Sequence, residues 1–210
     1  MIAIIDYEAG NLTSVERAIR SLGRECVVTD SPDVIRGADR VIFPGVGQAG
    51  SAMANLKRTG LDQVIQNAFH SGKPFLGICL GTQIILTHSQ EYDTRCLGLL
   101  QGEVKLFPSG MKDGTGTAVK IPHMGWNRIE IIKEHPVLDG LTPDDEYYFV
   151  HSYHPADARQ DQVLATCSYG EVTFPVILGY RNLISAQFHP EKSGKAGLRL
   201  LDNFCRWQPC

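Results

Sequence analysis

Three residues in this chain have the types and settings for covalent chemistry at an acyl carbon: Cys79, His189 and Glu191. Cys79 sits in Gly77-Ile78-Cys79-Leu80-Gly81, at the end of an apolar run that Pro74 introduces. That run reads as the end of a buried strand. From Leu80 onward Gln83, Ile84 and Leu86 fall at helical spacing, so the cysteine is expected at a sharp strand-to-helix turn. This is the arrangement of a nucleophile elbow, with Cys where hydrolases carry Ser. The flanking glycines would let the backbone bend hard and approach a substrate closely. A thiol at a helix N-terminus is favoured as the reactive thiolate. The N–H of Leu80 would be free to stabilise an oxyanion. A buried structural cysteine on a glycine turn shares the same pattern, so the elbow alone decides nothing.

The second half of the chemistry lies in Gln187-Phe188-His189-Pro190-Glu191. On extended backbone, residues i and i+2 project to one face, so His189 and Glu191 are expected to point together, stiffened by Pro190. A carboxylate beside an imidazole fixes its tautomer and stabilises the imidazolium. Such a base is what a thiol needs for activation. With the elbow, these residues compose a complete Cys-His-Glu triad, if the fold brings them together.

The elements that must do so read as an α/β protein. An apolar strand over 1–5 leads to a helix from Asn11, as N-cap, to Leu22, with Leu12, Val15, Ile19 and Leu22 on one face. A strand over 25–29, a helical turn opened by Ser31-Pro32, and a strand over 40–43 follow. The last ends in a Pro44-Gly45-Val46-Gly47 loop, and a helix pair over roughly 51–70 leads to the elbow. Alternating strands and helices imply a parallel sheet whose functional loops gather at the strands' carboxyl ends. After Cys96 short strands dominate, over 103–107, 127–132, 147–150, 163–166, 176–180 and 184–188. Residues 108–117 read as a flexible loop, and an amphipathic helix closes the chain. Without repeats or composition breaks, residues 1–210 read as a single domain with a mixed, mostly parallel central sheet flanked by helices.

The totals exclude several classes. A net charge of −3 gives no reason to expect nucleic acid or an anionic membrane as partner. No apolar run reaches the ~20 residues of a membrane-spanning helix. Met1-Ile2-Ala3-Ile4-Ile5 is apolar without a basic leader, and so is expected to be strand rather than signal peptide. Six cysteines without a C-x-x-C pair argue against a zinc site and a disulfide framework. A reduced, cytoplasmic setting fits, and no metal or cofactor is expected.

The segments Gly77-Ile78-Cys79-Leu80-Gly81-Thr82-Gln83 and Phe188-His189-Pro190-Glu191 resemble the class I, triad-type glutamine amidotransferases. Further segments resemble one branch, the glutaminase subunits of imidazole glycerol phosphate synthases. These are Asp6-Tyr7-x-x-Gly10-Asn11-Leu12-x-Ser14-Val15, Pro44-Gly45-Val46-Gly47, Pro122-His123-Met124-Gly125-Trp126-Asn127, Tyr148-Phe149-Val150-His151-Ser152-Tyr153 and His189-Pro190-Glu191-Lys192-Ser193. Thr82 stands where that branch often has Met. The resemblance implies a flavodoxin-like fold and hydrolysis of glutamine through a thioester, without a cofactor. It implies ammonia delivery to a (β/α)8-barrel cyclase in a heterodimer, for histidine biosynthesis. By the same resemblance, Val46 and Leu80 supply the oxyanion hole. Gly47, Gln83, Glu91 and Ser152 contact glutamine, and His123, Trp126, Asn127 and Lys192 face the partner. A Gly45–Val46 peptide that reorients is the implied control point. A glutaminase serving another synthase, a cysteine peptidase on a related fold, and a non-catalytic binding subunit are the rival classes.

Overall fold

The computed structural model describes residues 1–209, so Cys210 lies outside the described residues. In its first half β1 (Ile2–Ile5), β2 (Cys26–Thr29), β3 (Arg40–Gly45) and β4 (Phe75–Cys79) alternate with α1 (Leu12–Ser21), α2 (Pro32–Gly37), α3 (Ala49–Thr59), α4 (Leu61–His70) and the single turn α5 (Leu80–Ile84). The second half holds β5 (His88–Ser89), β6 (Thr94–Arg95), β7 (Glu103–Leu106), β8 (His123–Arg128), β9 (Glu130–Ile131), β10 (Glu146–His151), β11 (Tyr153–Ala156), β12 (Val163–Tyr169), β13 (Val172–Tyr180), β14 (Leu183–Ala186) and α6 (Gly194–Arg206).

The central sheet has eight strands in the order β2-β1-β3-β4-β14-β13-β12-β9. Neighbours run parallel from β2 to β14 and antiparallel from β14 to β9. The mixed, mostly parallel sheet flanked by helices is therefore as expected. Buried on both faces, its strands alternate side chains between two cores. Ile2 and Ile4 of β1 join Val15 and Ile19 of α1 and Leu201 and Phe204 of α6. Ala3 and Ile5 join Ile35 of α2, Leu56 of α3, Ile65 of α4 and Ile84 of α5. Two smaller sheets, β10-β8 and β11-β7-β5-β6, stand beside the central one rather than extending it.

Several local expectations are revised. The helix after the elbow ends at Ile84, before Leu86, so its dipole is that of one turn. Pro44 and Gly45 belong to β3, paired with Ile78 and Cys79, rather than to the loop. The strand expected over 127–132 begins earlier, since His123–Arg128 pairs along its whole length with Glu146–His151. Within 108–117, Asp113 Oδ1 accepts from the Thr115 and Thr117 N–H groups at 2.9 Å each, closing a tight turn.

Candidate active site

Cys79 ends β4 with φ 53° and ψ −108°, a left-handed conformation that favours glycine. Non-glycine residues hold such angles only where the surroundings impose them, at a cost of about 1–3 kcal/mol. Here the pressure comes from below. A Cβ on Gly81 would lie 2.0 Å from the Phe43 carbonyl oxygen, and one on Gly77 would lie 3.1 Å from Ser185 Cβ. These glycines serve close packing of the elbow onto β3 and β14, rather than approach to a substrate. The strain turns the thiol to the rim of the sheet.

Beneath it, His189 and Glu191 are almost wholly buried, with 1% and 0% of their side chains exposed. His189 Nδ1 pairs with Glu191 Oε1 at 2.7 Å. The contact is not made along a strand. β14 ends at Ala186, and Pro190 opens a 3-10 turn over Pro190–Lys192 that brings the carboxylate back under the ring. Nδ1 is committed to the carboxylate, while buried Nε2 has no hydrogen-bond partner. Burial opposes charge on this imidazole. Interaction with Cys79 and Glu191 outweighs it and raises the His189 pKa to about 10. The sulfur thus interacts with the imidazole without being in hydrogen-bonding position. It accepts instead from Gln187 Nε2 at 3.9 Å.

A residue that the sequence reading placed elsewhere completes the group. Asn11, expected to cap α1 through its side chain, makes no capping bond and sits at φ 68°. Its Nδ2 donates to Glu191 Oε1 at 2.6 Å and lies 3.4 Å from His189 Nδ1. Position before a helix signalled a cap, but the left-handed backbone, which Asn tolerates, turns the amide toward Glu191 and His189.

Cys79 opens onto a cavity of about 410 Å³, whose lining includes Val46, Gly47, Leu80, Gln83, Glu91 and Ser152. Every expected oxyanion and substrate residue is therefore at this cavity. Leu80 opens α5, so its N–H has no acceptor within the helix. Gly47 has φ 106°, which only glycine adopts readily. Gly45 is fixed differently, since a Cβ there would lie 1.9 Å from the Tyr7 hydroxyl oxygen. Gly45 is paired with Cys79 as the last residue of β3, and Gly47 lies beyond the strand. Glu91 opens a 3-10 turn, and its Oε2 accepts the Ala49 N–H at 2.6 Å, capping α3. Gln83 is buried and donates to Tyr153 O at 2.8 Å and Gln187 Oε1 at 3.1 Å. The cavity also takes in Pro122, Val150, His151 and Tyr153, of which the sequence reading gave no warning.

Of the four residues expected to face a partner, Trp126 is 54% exposed. Lys192 is exposed too, its Nζ 5.9 Å from the Tyr148 ring centroid. Asn127 is half-buried. His123 is the correction: it is 2% exposed, stacked between Phe149 and Tyr169 at centroid distances of 4.5 and 4.0 Å. Strand alternation turns it inward while Met124 and Trp126 turn outward.

A strained cysteine over a buried His-Glu pair, on this sheet, defines a class of protein. The chain belongs to the class-I glutamine amidotransferase family, whose model matches residues 3–207. A crystal structure of a glutamine amidotransferase shares the fold, with a TM-score of 0.75 at 18% identity, covering 98% of both chains. The particular branch is given by closer relatives. Imidazole glycerol phosphate synthase subunit HisH of Nitratidesulfovibrio vulgaris (strain DP4) is 53% identical, over 99% of this chain and 96% of the relative. That of Desulfovibrio desulfuricans is 48% identical, over 97% of this chain and 93% of the relative. Within its family the chain groups with these HisH subunits.

Proposed function

We propose that Cys79, His189 and Glu191 are the catalytic triad of a glutaminase that feeds ammonia to a docked partner. The chain hydrolyses glutamine and supplies ammonia to the cyclase of imidazole glycerol phosphate synthase, in histidine biosynthesis. The observation that carries the residue assignment is the His189 ring. One nitrogen is held by Glu191, and the other is buried, unpartnered and beside the strained Cys79.

Cys79 Sγ attacks the carboxamide carbon, and the resulting oxyanion is held by the N–H groups of Leu80 and Val46. His189 gives its Nε2 proton to the leaving nitrogen. The C–N bond breaks, ammonia departs, and a thioester remains. The imidazole then takes a proton from water, whose oxygen attacks the thioester carbon. The C–S bond breaks, releasing glutamate and restoring the thiolate–imidazolium pair. Glu191 orients the ring throughout. Gln83, Glu91, Ser152 and Gly47 hold the amino-acid end of glutamine. The two Nε2 hydrogens of Gln83 are already used, so it meets glutamine's ammonium through Oε1.

Ammonia released into neutral water protonates and ceases to be a nucleophile, so the acceptor enzyme must cover the cavity. The partner is a (β/α)8-barrel cyclase forming a heterodimer with this chain, seated over exposed Trp126 and Lys192. Its products are imidazole glycerol phosphate and an aminoimidazole carboxamide ribotide. Residues 1–210 act as one glutamine amidotransferase domain, in the cytoplasm. No helix among the described residues is long and apolar enough to cross a membrane.

The test is mass spectrometry of the complex with glutamine. The expected result is a glutamyl adduct on Cys79, absent in Cys79→Ala together with glutamate release. Glutamate production by Cys79→Ala would overturn the assignment.

A further inference from the structure

Beside the cavity, a file of side chains runs inward from half-buried Asn127 on β8 through buried His123 and His151 toward Cys79, and none of these three belongs to the proposed triad. Asn127 Nδ2 lies 3.3 Å from His123 Nε2. His123 Nδ1 lies 3.2 Å from His151 Nε2, and His151 Nδ1 lies 2.8 Å from Tyr153 O. That carbonyl also accepts Gln83 Nε2 at 2.8 Å. Gln83 in turn reaches Gln187 and, through it, the Cys79 sulfur.

The chemistry of the two ends fixes the direction of every bond between them. Tyr153 O is a carbonyl and can only accept, so His151 must carry its proton on Nδ1. A neutral His151 then offers a lone pair at Nε2, and His123 must donate to it from Nδ1. His123 Nε2 is left as an acceptor, and it faces an amide donor. The outer end demands the same polarity independently. Asn127 Nδ2 also donates to Ser168 O at 3.1 Å, while its Oδ1 accepts the Arg128 N–H at 2.8 Å. The Asn127 amide therefore cannot be turned over without losing two bonds. Both ends thus require one arrangement, Asn127→His123→His151→Tyr153 carbonyl. Stacking of His123 between Phe149 and Tyr169 keeps its ring in the file.

We propose that this one-way relay makes His151 and His123 positioning residues for glutamine hydrolysis, holding the Tyr153 carbonyl and hence the Gln83 amide in the substrate-binding orientation. The inference rests on Cys79 being the nucleophile of this cavity. The relay touches no reacting atom. Its effect is to stop the Gln83 amide from presenting the wrong group to glutamine's ammonium.

The test uses the full chain, labelled with 15N-histidine, in complex with its cyclase. In the wild type both His151 and His123 are expected to be neutral with the proton on Nδ1. Asn127→Asp puts an acceptor where the relay needs a donor. Read at alkaline pH, where the new carboxylate does not hold His123 as an imidazolium, His123 and then His151 reverse to the Nε2–H form, leaving a lone pair on His151 Nδ1 against Tyr153 O. The expected result is reversal of both tautomers and a fall in kcat/KM for glutamine of about tenfold or more, dominated by KM. His123→Phe keeps an aromatic ring in the stack but removes both bonds, and should lose activity with Tm preserved. A wild-type ring carrying its proton on Nε2 would overturn the proposal without any variant. So would Asn127→Asp that leaves the tautomers in place, or reverses them at unchanged kcat/KM. Failure of the underlying site reading shows separately, as activity surviving in Cys79→Ala, and leaves these spectra untouched.

Discussion

Asn11 Nδ2 lies 2.6 Å from Glu191 Oε1, the oxygen that also takes His189 Nδ1 at 2.7 Å. Two donors on one oxygen fix the carboxylate from opposite sides of the chain, before α1 and before α6. With the other oxygen buried and unpartnered, Asn11 is the only side chain besides His189 that holds the Glu191 carboxylate among the described residues.

Asn11→Gly keeps the left-handed backbone while removing the amide. We expect kcat of the complex to fall about tenfold, the cost of freeing one buried charge-assisted partner. Asn11→Asp, which also tolerates that backbone, places a second carboxylate against Glu191 and should cost more. Steady-state glutamate release checks both. Wild-type turnover in the two variants would show that Glu191 needs no second anchor.

Stability should respond to pH in two opposite windows. Burial holds His123 at about 4 and His151 at about 3, below the ~6.5 of an unfolded histidine. Between about pH 4 and 6.5 the unfolded chain binds more protons, so stability rises with pH there. His189, raised to about 10, has the reverse sign: its contribution is complete below about 6.5 and is lost as pH rises through about 10. Tm measured across pH 4–10 should show both slopes. His123→Phe should flatten the acid one, and His189→Gln the alkaline one. An alkaline slope unchanged in His189→Gln would dissociate it from the triad.

The grouping of Cys79, His189 and Glu191 was legible in the sequence because each half is a local pattern. Gly77-x-Cys79-x-Gly81 marks a turn, and His189-Pro190-Glu191 keeps a base and a carboxylate two residues apart. The pairing of His189 with Glu191 followed even though the backbone between them is a 3-10 turn rather than a strand. Asn11 was not legible as a triad contact, since nothing local tells an amide that caps a helix from one that reaches 180 residues ahead. His123 was misplaced because the resemblance carried the whole 122–127 segment to the partner face as one piece. The signal that would have corrected it was period two: His123 inward, Met124 and Trp126 outward, on a strand. The β8–β10 ribbon itself rests on pairing between distant segments, which no single segment encodes.

Val46→Pro removes the N–H assigned to the oxyanion while leaving Cys79, His189 and Glu191 in place. Loss of one such donor costs on the order of 10²–10³ in kcat. We expect that loss in the complex, together with a flattened response when the cyclase binds its nucleotide substrate. The measurement is glutamine turnover by the chain alone, with cyclase, and with cyclase plus nucleotide. Unchanged activation in Val46→Pro would remove this loop from the mechanism.

Trp126→Ala and Lys192→Ala test the docking face. Both side chains are exposed and neither lines the cavity, so the fold and the proposed triad should survive. We expect weaker binding of the cyclase, read by titration calorimetry, and more glutamate released per product formed. Wild-type affinity and coupling in both variants would place the interface elsewhere.

Gly45 of β3 and Gly81 of the elbow should fail in two distinguishable ways. A Cβ at Gly45 would meet the Tyr7 hydroxyl oxygen at 1.9 Å, with the next contacts, Leu80 Cβ and Tyr7 Cζ, at 3.2 Å. That first obstacle is a single side-chain atom, and the hydroxyl itself is buried without a hydrogen-bond partner. Tyr7→Phe should therefore be nearly neutral alone, because it deletes an unsatisfied group. Gly45→Ala should destabilise the chain and lower kcat, since relief of the clash pushes β3 away from Cys79. In the double variant the remaining contacts are tight but no longer impossible, and much of both losses should return. Gly81→Ala differs, because its obstacle is the Phe43 backbone carbonyl at 2.0 Å. No side-chain change can clear it, and Tyr7→Phe should not rescue it. A thermal-melt and kcat cycle over these variants checks the argument. Purely additive effects of Gly45→Ala and Tyr7→Phe would mean that the Tyr7 hydroxyl does not set the position of β3 beneath the nucleophile.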